Sequence, residues 1–133
     1  MSNKFIGTWE LESVIVKQGD TVIHPFGKDA KGILFYGDEY MSVQIMMPVD
    51  YPLSDERKQQ LKLEDLAHTL KTIGYMGYFG TYEIDEVNQK VIHNVEGAIA
   101  QTRIGKEEIR NYWFEDGKLV LSTGTTELTW LKI

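Results

Sequence analysis

The stretch FIGTWELESVIV, residues 5–16, has the alternating pattern of a β-strand with one buried face. One face carries mainly apolar residues and the other carries two glutamates: Trp9, Leu11, Ser13 and Ile15 against Glu10 and Glu12. Gly7 lets the backbone bend, or approach a neighbour closely, just before the large indole. This segment therefore predicts a long first strand, half buried and half in contact with water, around which a β-sheet is organised.

The composition limits the classes of function. A chain of 133 residues is most simply one domain, residues 1–133, and is long enough to bury a core. The formal net charge of -6, from 14 basic and 20 acidic residues, argues against nucleic acid and anionic membrane surfaces as partners. The absence of cysteine excludes a disulfide framework and a Cys-ligated metal. Without an apolar leader or a long apolar run, we expect no membrane span and a cytoplasmic location.

Most of the remaining chain reads as short strands joined by tight turns. The expected strands are 21–24, 32–36, 39–46, 81–85, 90–97, 107–115, 118–123 and 126–133. Residues 74–80 place three glycines among aromatics and are expected to form a bend that leads into the strand at residue 81. About eight to ten antiparallel strands without βαβ alternation predict an all-β protein, either a closed up-and-down barrel or a sandwich.

One segment has a helical pattern instead. Ser54 is a candidate N-cap for a helix starting at Asp55. Apolar residues then recur at helical spacing, at Leu63, Leu66, Ala67, Leu70 and Ile73. We therefore expect one helical insertion at about residues 55–73, either continuous, kinked or split in two. Its apolar face predicts that it packs across the mouth or flank of the barrel as a lid.

Seven segments, in one order along nearly the whole chain, resemble the small lipocalin-like domain family of bacteria and some fungi, a calycin-like β-barrel. They are IGTW (6–9), HPFG (24–27), AKGILFY (30–36), YMSVQ (40–44), YFGTY (78–82), HNVEG (93–97) and LVLST (119–123). The resemblance implies a small antiparallel barrel with an internal cavity. It does not fix the activity, because related barrels include passive carriers and enzymes that isomerise or cyclise small molecules.

Two strands carry polar groups on apolar faces. His93 shares its face with Val91 and Val95, so it is either a satisfied core histidine or a ligand-contacting, proton-transferring group. On residues 107–115, Arg110 shares a face with Tyr112 and Phe114, and the pattern leaves open whether that face points inward. If that face points inward, Arg110 either stacks on Trp9 at the barrel end, as in lipocalin-like folds, or binds a ligand carboxylate. Arg103 is the alternative cation over Trp9.

The same reasoning extends the candidate pocket. Tyr82 lies on the apolar face of its strand, and Tyr36, Gln44 and Met46 suit a mixed apolar and polar lining. The expected ligand-binding residues are therefore Arg110, Tyr112, His93, Tyr82, Tyr36, Gln44 and Met46. No carboxylate clearly faces Arg110, which predicts that a ligand with an acidic or carbonyl end, such as a fatty or aromatic acid, is its partner.

Catalytic and metal-binding patterns are absent. There is no G-x-S-x-G or H-E-x-x-H motif, and His24, His68 and His93 are too widely separated for an evident metal site. We expect no cofactor. The preferred function is binding of a small hydrophobic or amphipathic molecule in the barrel. The alternatives are a cofactor-free isomerase or cyclase using the same cavity, and an interaction module that forms a homodimer through aromatics around residues 75–79.

Overall fold

The structure, a computed structural model, describes residues 3–47, 54–59 and 74–133. These residues contain nine strands: β1 (Gly7–Gln18), β2 (Thr21–Ile23), β3 (Lys31–Tyr36), β4 (Tyr40–Met46), β5 (Tyr75–Asp85), β6 (Lys90–Ala98), β7 (Glu107–Glu115), β8 (Lys118–Thr123) and β9 (Thr126–Lys132). Helix α1 spans Asp55–Gln59, and a short 3-10 helix spans Gln101–Arg103. The rest of the expected helix, with the apolar face that was to form a lid, lies outside the described residues.

Eight of the strands close into an antiparallel barrel. The strand order is β2-β1-β3-β4-β5-β6-β7-β8-β9, and β1 also pairs with β9, which joins the two ends of the sheet. Strand β2 lies outside the ring, paired with the end of β1. Closure leaves few unpaired strand edges. The all-β antiparallel barrel is therefore confirmed, and the sandwich alternative is wrong.

The N-terminal segment closes one end of the barrel. The ring of Phe5 meets those of Tyr36, Tyr112 and Phe114 edge-on, with centroids 5.2, 4.8 and 5.3 Å away. Trp9, which is 2% exposed, donates a hydrogen bond from Nε1 to the Phe5 carbonyl oxygen over 2.8 Å. The expected burial of Trp9 is confirmed.

The cation over Trp9 is not an arginine. Lys132 Nζ lies 5.5 Å from the centre of the indole, because Lys132 on β9 pairs directly with Trp9 on β1. The prediction that Arg110 covers Trp9 is therefore wrong. Arg110 pairs with Val91, further along the barrel wall.

A bulge changes which residues of β1 face the core. The register against β9 shifts between Leu11 and Ser13. A bulge adds one residue to a strand, so the side-chain alternation changes phase beyond it. Val14 is consequently buried, whereas Ser13 and Ile15, which were expected on the inner face, are only partly buried.

Strand β5 runs unbroken from Tyr75 to Asp85, so the bend expected at residues 74–80 is wrong. The glycines there serve close packing instead. The register against β6 shifts between Phe79 and Gly80, and a Cβ added at Gly80 would overlap the carbonyl oxygen of Asn94. Gly80 therefore permits an approach of two backbones that no other residue allows.

Replacing Gly80 with alanine is expected to lower the free energy of unfolding by about 1–3 kcal/mol, because the new methyl group forces β5 and β6 apart. Gly37→Ala is the matched control, since a Cβ there would meet its nearest neighbour, Phe35 Cε1, at an ordinary 3.4 Å. Urea unfolding of both variants measures the difference. Equal midpoints would show that the two strands separate without penalty.

Candidate functional site

The barrel encloses a chamber of about 170 Å³. Its wall is largely apolar and includes aliphatic side chains from five strands: Val14, Leu34, Val43, Ile45, Leu121 and Leu128. Its polar groups are Tyr78, His93, Arg103, Arg110, Thr123, Thr126 and the indole of Trp130. An apolar cavity of about 150 Å³ is large enough for benzene. The chamber therefore matches a molecule with a body of about one aromatic ring.

A second hollow, the vestibule, adjoins the chamber. It has a volume of about 390 Å³ and is lined by residues of the loop after β2, the start of β5 and the segment after β6. Phe26, Met76 and Arg103 line both the vestibule and the chamber. These three side chains therefore stand where the two volumes meet.

His93 lies between two tyrosine hydroxyl groups in the barrel interior. Tyr36 on β3 places its Oη 2.6 Å from His93 Nε2, and Tyr78 on β5 places its Oη 2.6 Å from His93 Nδ1. His93, on β6, is 2% exposed. Both ring nitrogens are therefore hydrogen-bonded, and the three side chains form a continuous polar chain inside an otherwise apolar barrel.

Burial keeps all three groups uncharged. Desolvation lowers the pKa of His93 to about 3, and the nearby positive charge of Arg110 acts in the same direction. Desolvation raises the pKa of Tyr78 to about 12 and holds that of Tyr36 well above its usual value. At neutral pH the cluster therefore consists of a neutral imidazole and two protonated phenols.

Two arginines share one carboxylate beside this chain. Arg110 Nη2 lies 3.3 Å from Glu108 Oε2, and Arg103 Nη1 lies 3.7 Å from Glu108 Oε1. The guanidinium carbon of Arg103 is 5.7 Å from the centre of the Tyr78 ring, within cation–π range. Arg110 therefore has a carboxylate partner on its own strand, whereas the sequence-based expectation concerned only the neighbouring strands. The three formal charges sum to one excess positive charge.

Two buried N–H donors have no acceptor within the described part of the chain. They are Nε1 of Trp130 and Nη1 of Arg103, and both residues line the chamber. Buried polar groups are normally hydrogen-bonded, so an unsatisfied donor beside a cavity marks a place where a bound molecule or water is held.

The structure brings together only some of the residues expected in the pocket. His93 and Arg110 line the chamber, and Tyr36 contacts His93 from its other side. The Tyr82 hydroxyl donates to the Gly37 carbonyl over 2.6 Å and accepts from Asn3 Nδ2 over 2.8 Å, so it is used in closing the barrel end. Tyr112 also lies at that end, with its ring against Phe5.

Gln44 and Met46 are on the outer surface, and their placement in the pocket is wrong. Met41, Val43 and Ile45 are the buried residues of β4, whereas Met46 is 42% exposed and Gln44 is also exposed. Both faces of β4 contain apolar side chains, so its own sequence does not identify the inner one. The pairing with β3 and β5 decides it.

Four site residues were missed by the sequence reasoning. Tyr78 was assigned to a bend and Arg103 to a segment without a clear pattern. Glu108 and Trp130 could have been found, because Glu108 shares the face of Arg110 and Trp130 shares the face of Leu128.

Within the described ranges no group of three or more acidic, His or Cys side chains is placed to hold a metal ion. Helices in the same ranges are too short and polar to cross a membrane.

Comparison with known proteins gives a match for nearly the whole chain. A family model described as a lipocalin-like domain matches residues 6–132. Among solved structures, an uncharacterized protein from Bacteroides eggerthii is similar, with a TM-score of 0.54, 12% identity and coverage of 97% of this chain and 99% of that one. A mutant of the fluorescent protein UnaG aligns with a TM-score of 0.43, 13% identity and coverage of 100% and 99%. No curated protein matches.

Proposed function

The chain belongs to the lipocalin-like domain family, and from this premise we propose that it binds a small hydrophobic or amphipathic molecule inside the barrel. One observation carries the proposal: a chamber of about 170 Å³ with largely apolar walls contains buried N–H donors that have no hydrogen-bond acceptor among the described residues. Ligand sites in proteins are mostly apolar, with a few placed polar groups that orient the ligand. The chamber has this composition.

Its size supports a compact ligand body. Small barrels of eight strands have an interior that holds side chains or one small ligand. The chamber takes about one ring, and a longer molecule would extend past Phe26 and Met76 into the vestibule. A purely apolar ligand would leave the Trp130 and Arg103 donors unpaired, which favours an amphipathic one.

The enzyme alternative, a cofactor-free isomerase or cyclase, has less support. Such an enzyme needs a base with a pKa near the working pH and within reach of the substrate. Both nitrogens of His93 are hydrogen-bonded to tyrosines, and burial lowers its pKa to about 3. His93 is therefore poorly suited to accept a proton from a substrate, and the geometry favours binding over catalysis.

The homodimer stays a separate prediction. Of the aromatics in residues 75–79, Tyr78 points into the barrel, whereas Phe79 is 54% exposed. A dimer through that surface would not compete with a ligand in the chamber. Sedimentation of the purified protein over a range of concentrations measures whether it forms a dimer.

Filling the chamber tests the binding function. Val43→Phe adds a ring to the inner wall and is expected to weaken binding of toluene at least tenfold, as followed by NMR titration of interior methyl groups. Ile33→Phe is the control, because Ile33 is 43% exposed on the outer surface and adds the same ring there. Native mass spectrometry of the protein as isolated should show a bound small molecule in wild type and in Ile33→Phe.

Two results would contradict the binding function. One is the absence of any interior chemical-shift change on adding toluene, together with a ligand-free native mass. The other is equal toluene affinity in Val43→Phe and wild type, with the fold of the variant verified by its NMR spectrum. That result would place the bound molecule elsewhere on the protein.

A further inference from the structure

The hydrogen-bond pattern of the Tyr36–His93–Tyr78 chain fixes the position of the imidazole proton. A neutral imidazole has one N–H donor and one bare acceptor nitrogen. Both nitrogens contact tyrosine hydroxyl oxygens at 2.6 Å. One tyrosine must therefore donate to His93, and the other must accept from it.

Tyr36 is the donor. It is fully enclosed, at 0% exposed, and within the described chain its hydroxyl group bonds to His93 alone. If Tyr36 accepted from His93, its own O–H proton would be buried without an acceptor, which proteins avoid. Tyr36 therefore donates to Nε2, and the imidazole proton is on Nδ1 and is donated to Tyr78.

This assignment leaves the hydroxyl proton of Tyr78 without an acceptor. Tyr78 lines the chamber, as do Trp130 and Arg103. Trp130 Nε1 has no hydrogen-bond acceptor in the described chain, and Arg103 Nη1 has only the ion pair with Glu108 at 3.7 Å, which is too long for a hydrogen bond. Three donors thus border one small volume. Arg103, Arg110 and Glu108 add one excess positive charge beside them.

We propose that the chamber selects a small anion whose polar end has only hydrogen-bond acceptors, namely a carboxylate on a body of about one aromatic ring. The Nδ1–H tautomer of His93 is the positioning element, because it frees the Tyr78 hydroxyl proton for the ligand. This inference rests on the proposed binding function and adds to it the chemistry of the ligand's polar end. Arg110 is not the direct partner of the carboxylate, because it is already paired with Glu108.

Three probes of similar size test the inference: toluene, benzoate and benzamide. Benzoate offers two acceptor oxygens and a negative charge, whereas benzamide replaces one oxygen with an N–H donor. We expect benzoate to bind roughly ten- to a hundredfold more tightly than benzamide, as for a hydrogen bond to a charged group. Equal affinities of the two, with toluene still bound, would overturn the carboxylate preference and leave the binding function intact. If none of the three probes binds, both the carboxylate preference and the proposed binding function are overturned.

Two tyrosine variants locate the donor. Tyr78→Phe is expected to weaken benzoate binding roughly ten- to a hundredfold and to leave toluene binding nearly unchanged. Tyr82→Phe is the matched control, because the Tyr82 hydroxyl group bonds to Gly37 and Asn3 at the barrel end, outside the chamber. A loss of benzoate affinity in Tyr82→Phe equal to that in Tyr78→Phe would overturn the assignment to Tyr78.

The tautomer is measured directly on the wild-type protein, with no variant that could misfold. Protonated and bare imidazole nitrogens resonate at well-separated ¹⁵N frequencies, so the spectrum shows which nitrogen of His93 carries the proton. We expect Nδ1 to be protonated and Nε2 bare, and the Trp130 indole N–H resonance to shift when benzoate binds. A proton on Nε2 would overturn the positioning role of His93.

Discussion

Replacing Trp9 with alanine is expected to lower the free energy of unfolding by about 3–5 kcal/mol, in the range of large aromatic truncations in protein cores. Trp9 is 2% exposed and lies near the Phe114 ring, at 6.3 Å between centroids. Its Nε1–H also holds the carbonyl of Phe5, whose ring closes the barrel end. The substitution therefore removes a core side chain and loosens the segment that covers the core.

Two further variants separate these contributions. Trp113 on β7 is only partly buried, so Trp113→Ala is expected to cost about 1 kcal/mol or less. Trp9→Phe keeps an aromatic ring but loses the hydrogen bond to Phe5. We expect it to lower the free energy of unfolding by an amount between those of Trp113→Ala and Trp9→Ala. Urea unfolding gives all three values. A loss below about 1 kcal/mol for Trp9→Ala would show that the indole is not part of the core.

The barrel was predictable because its signals are local. Alternation with a period of two, interrupted by turn residues such as Gly117 after Asp116, marks strands without knowledge of their partners. Eight of the nine expected strands agree with the structure to within two residues at each end. The wrong start of β5 and the wrong inner face at the end of β1 both accompany a bulge.

A bulge is not visible in a single strand. The shifts between Leu11 and Ser13 and between Phe79 and Gly80 appear only when β1 is paired with β9 and β5 with β6. Each shift reverses the side-chain alternation, so the burial of Val14 could not be predicted from the alternation that starts at Trp9. Gly80 looked like a bend because the backbone it approaches, at Asn94, is remote in sequence.

The site was less predictable than the fold because its contacts are long-range. Tyr36 and His93 are 57 residues apart, and their hydrogen bond exists only once β3 and β6 face each other across the closed barrel. The chemistry of single residues identified His93 and Arg110, since both are polar groups on apolar faces. It could not identify Tyr78 as a partner of His93, because that contact depends on the pairing of β5 with β6 in the closed barrel. Glu108 was within reach of the same reasoning, since it shares a strand face with Arg110.

Acid is expected to unfold this protein through His93. Its pKa is lowered from 6.5 to about 3 in the folded state, chiefly by burial and further by Arg110. Between these pH values the unfolded chain binds a proton that the folded chain does not, so folding stability falls as the pH falls. Each pH unit corresponds to about 1.4 kcal/mol, which gives a loss of roughly 4–5 kcal/mol from this residue by pH 3. Above pH 6.5 the contribution of His93 is constant.

The contribution of His93 is isolated by comparing variants, because the chain also has 20 acidic residues and carboxylic acids contribute to acid denaturation. His93→Gln has the same carboxylates but no imidazole at that position, and we expect its stability to depend less steeply on pH between 6.5 and 4. His24→Gln, in the loop after β2, is the matched control, because it removes an imidazole outside the Tyr36–His93–Tyr78 chain. Thermal unfolding at a series of pH values gives the slopes. Parallel curves for wild type and His93→Gln would mean that His93 is not buried in its neutral form.

The hydrogen bonds around His93 also predict that folding stability falls when His93 is protonated. An imidazolium donates from both nitrogens, so Tyr36 and Tyr78 would both have to accept from it. In the Nδ1–H tautomer that we infer, Tyr78 already accepts from His93, but the hydroxyl proton of Tyr36 would become buried without an acceptor in the described chain. Protonation of His93 therefore disrupts the Tyr36–His93–Tyr78 chain at Tyr36, its most deeply buried residue. Tyr36→Phe removes that hydroxyl group, and we expect it to lower stability at pH 7 while reducing the additional loss on acidification.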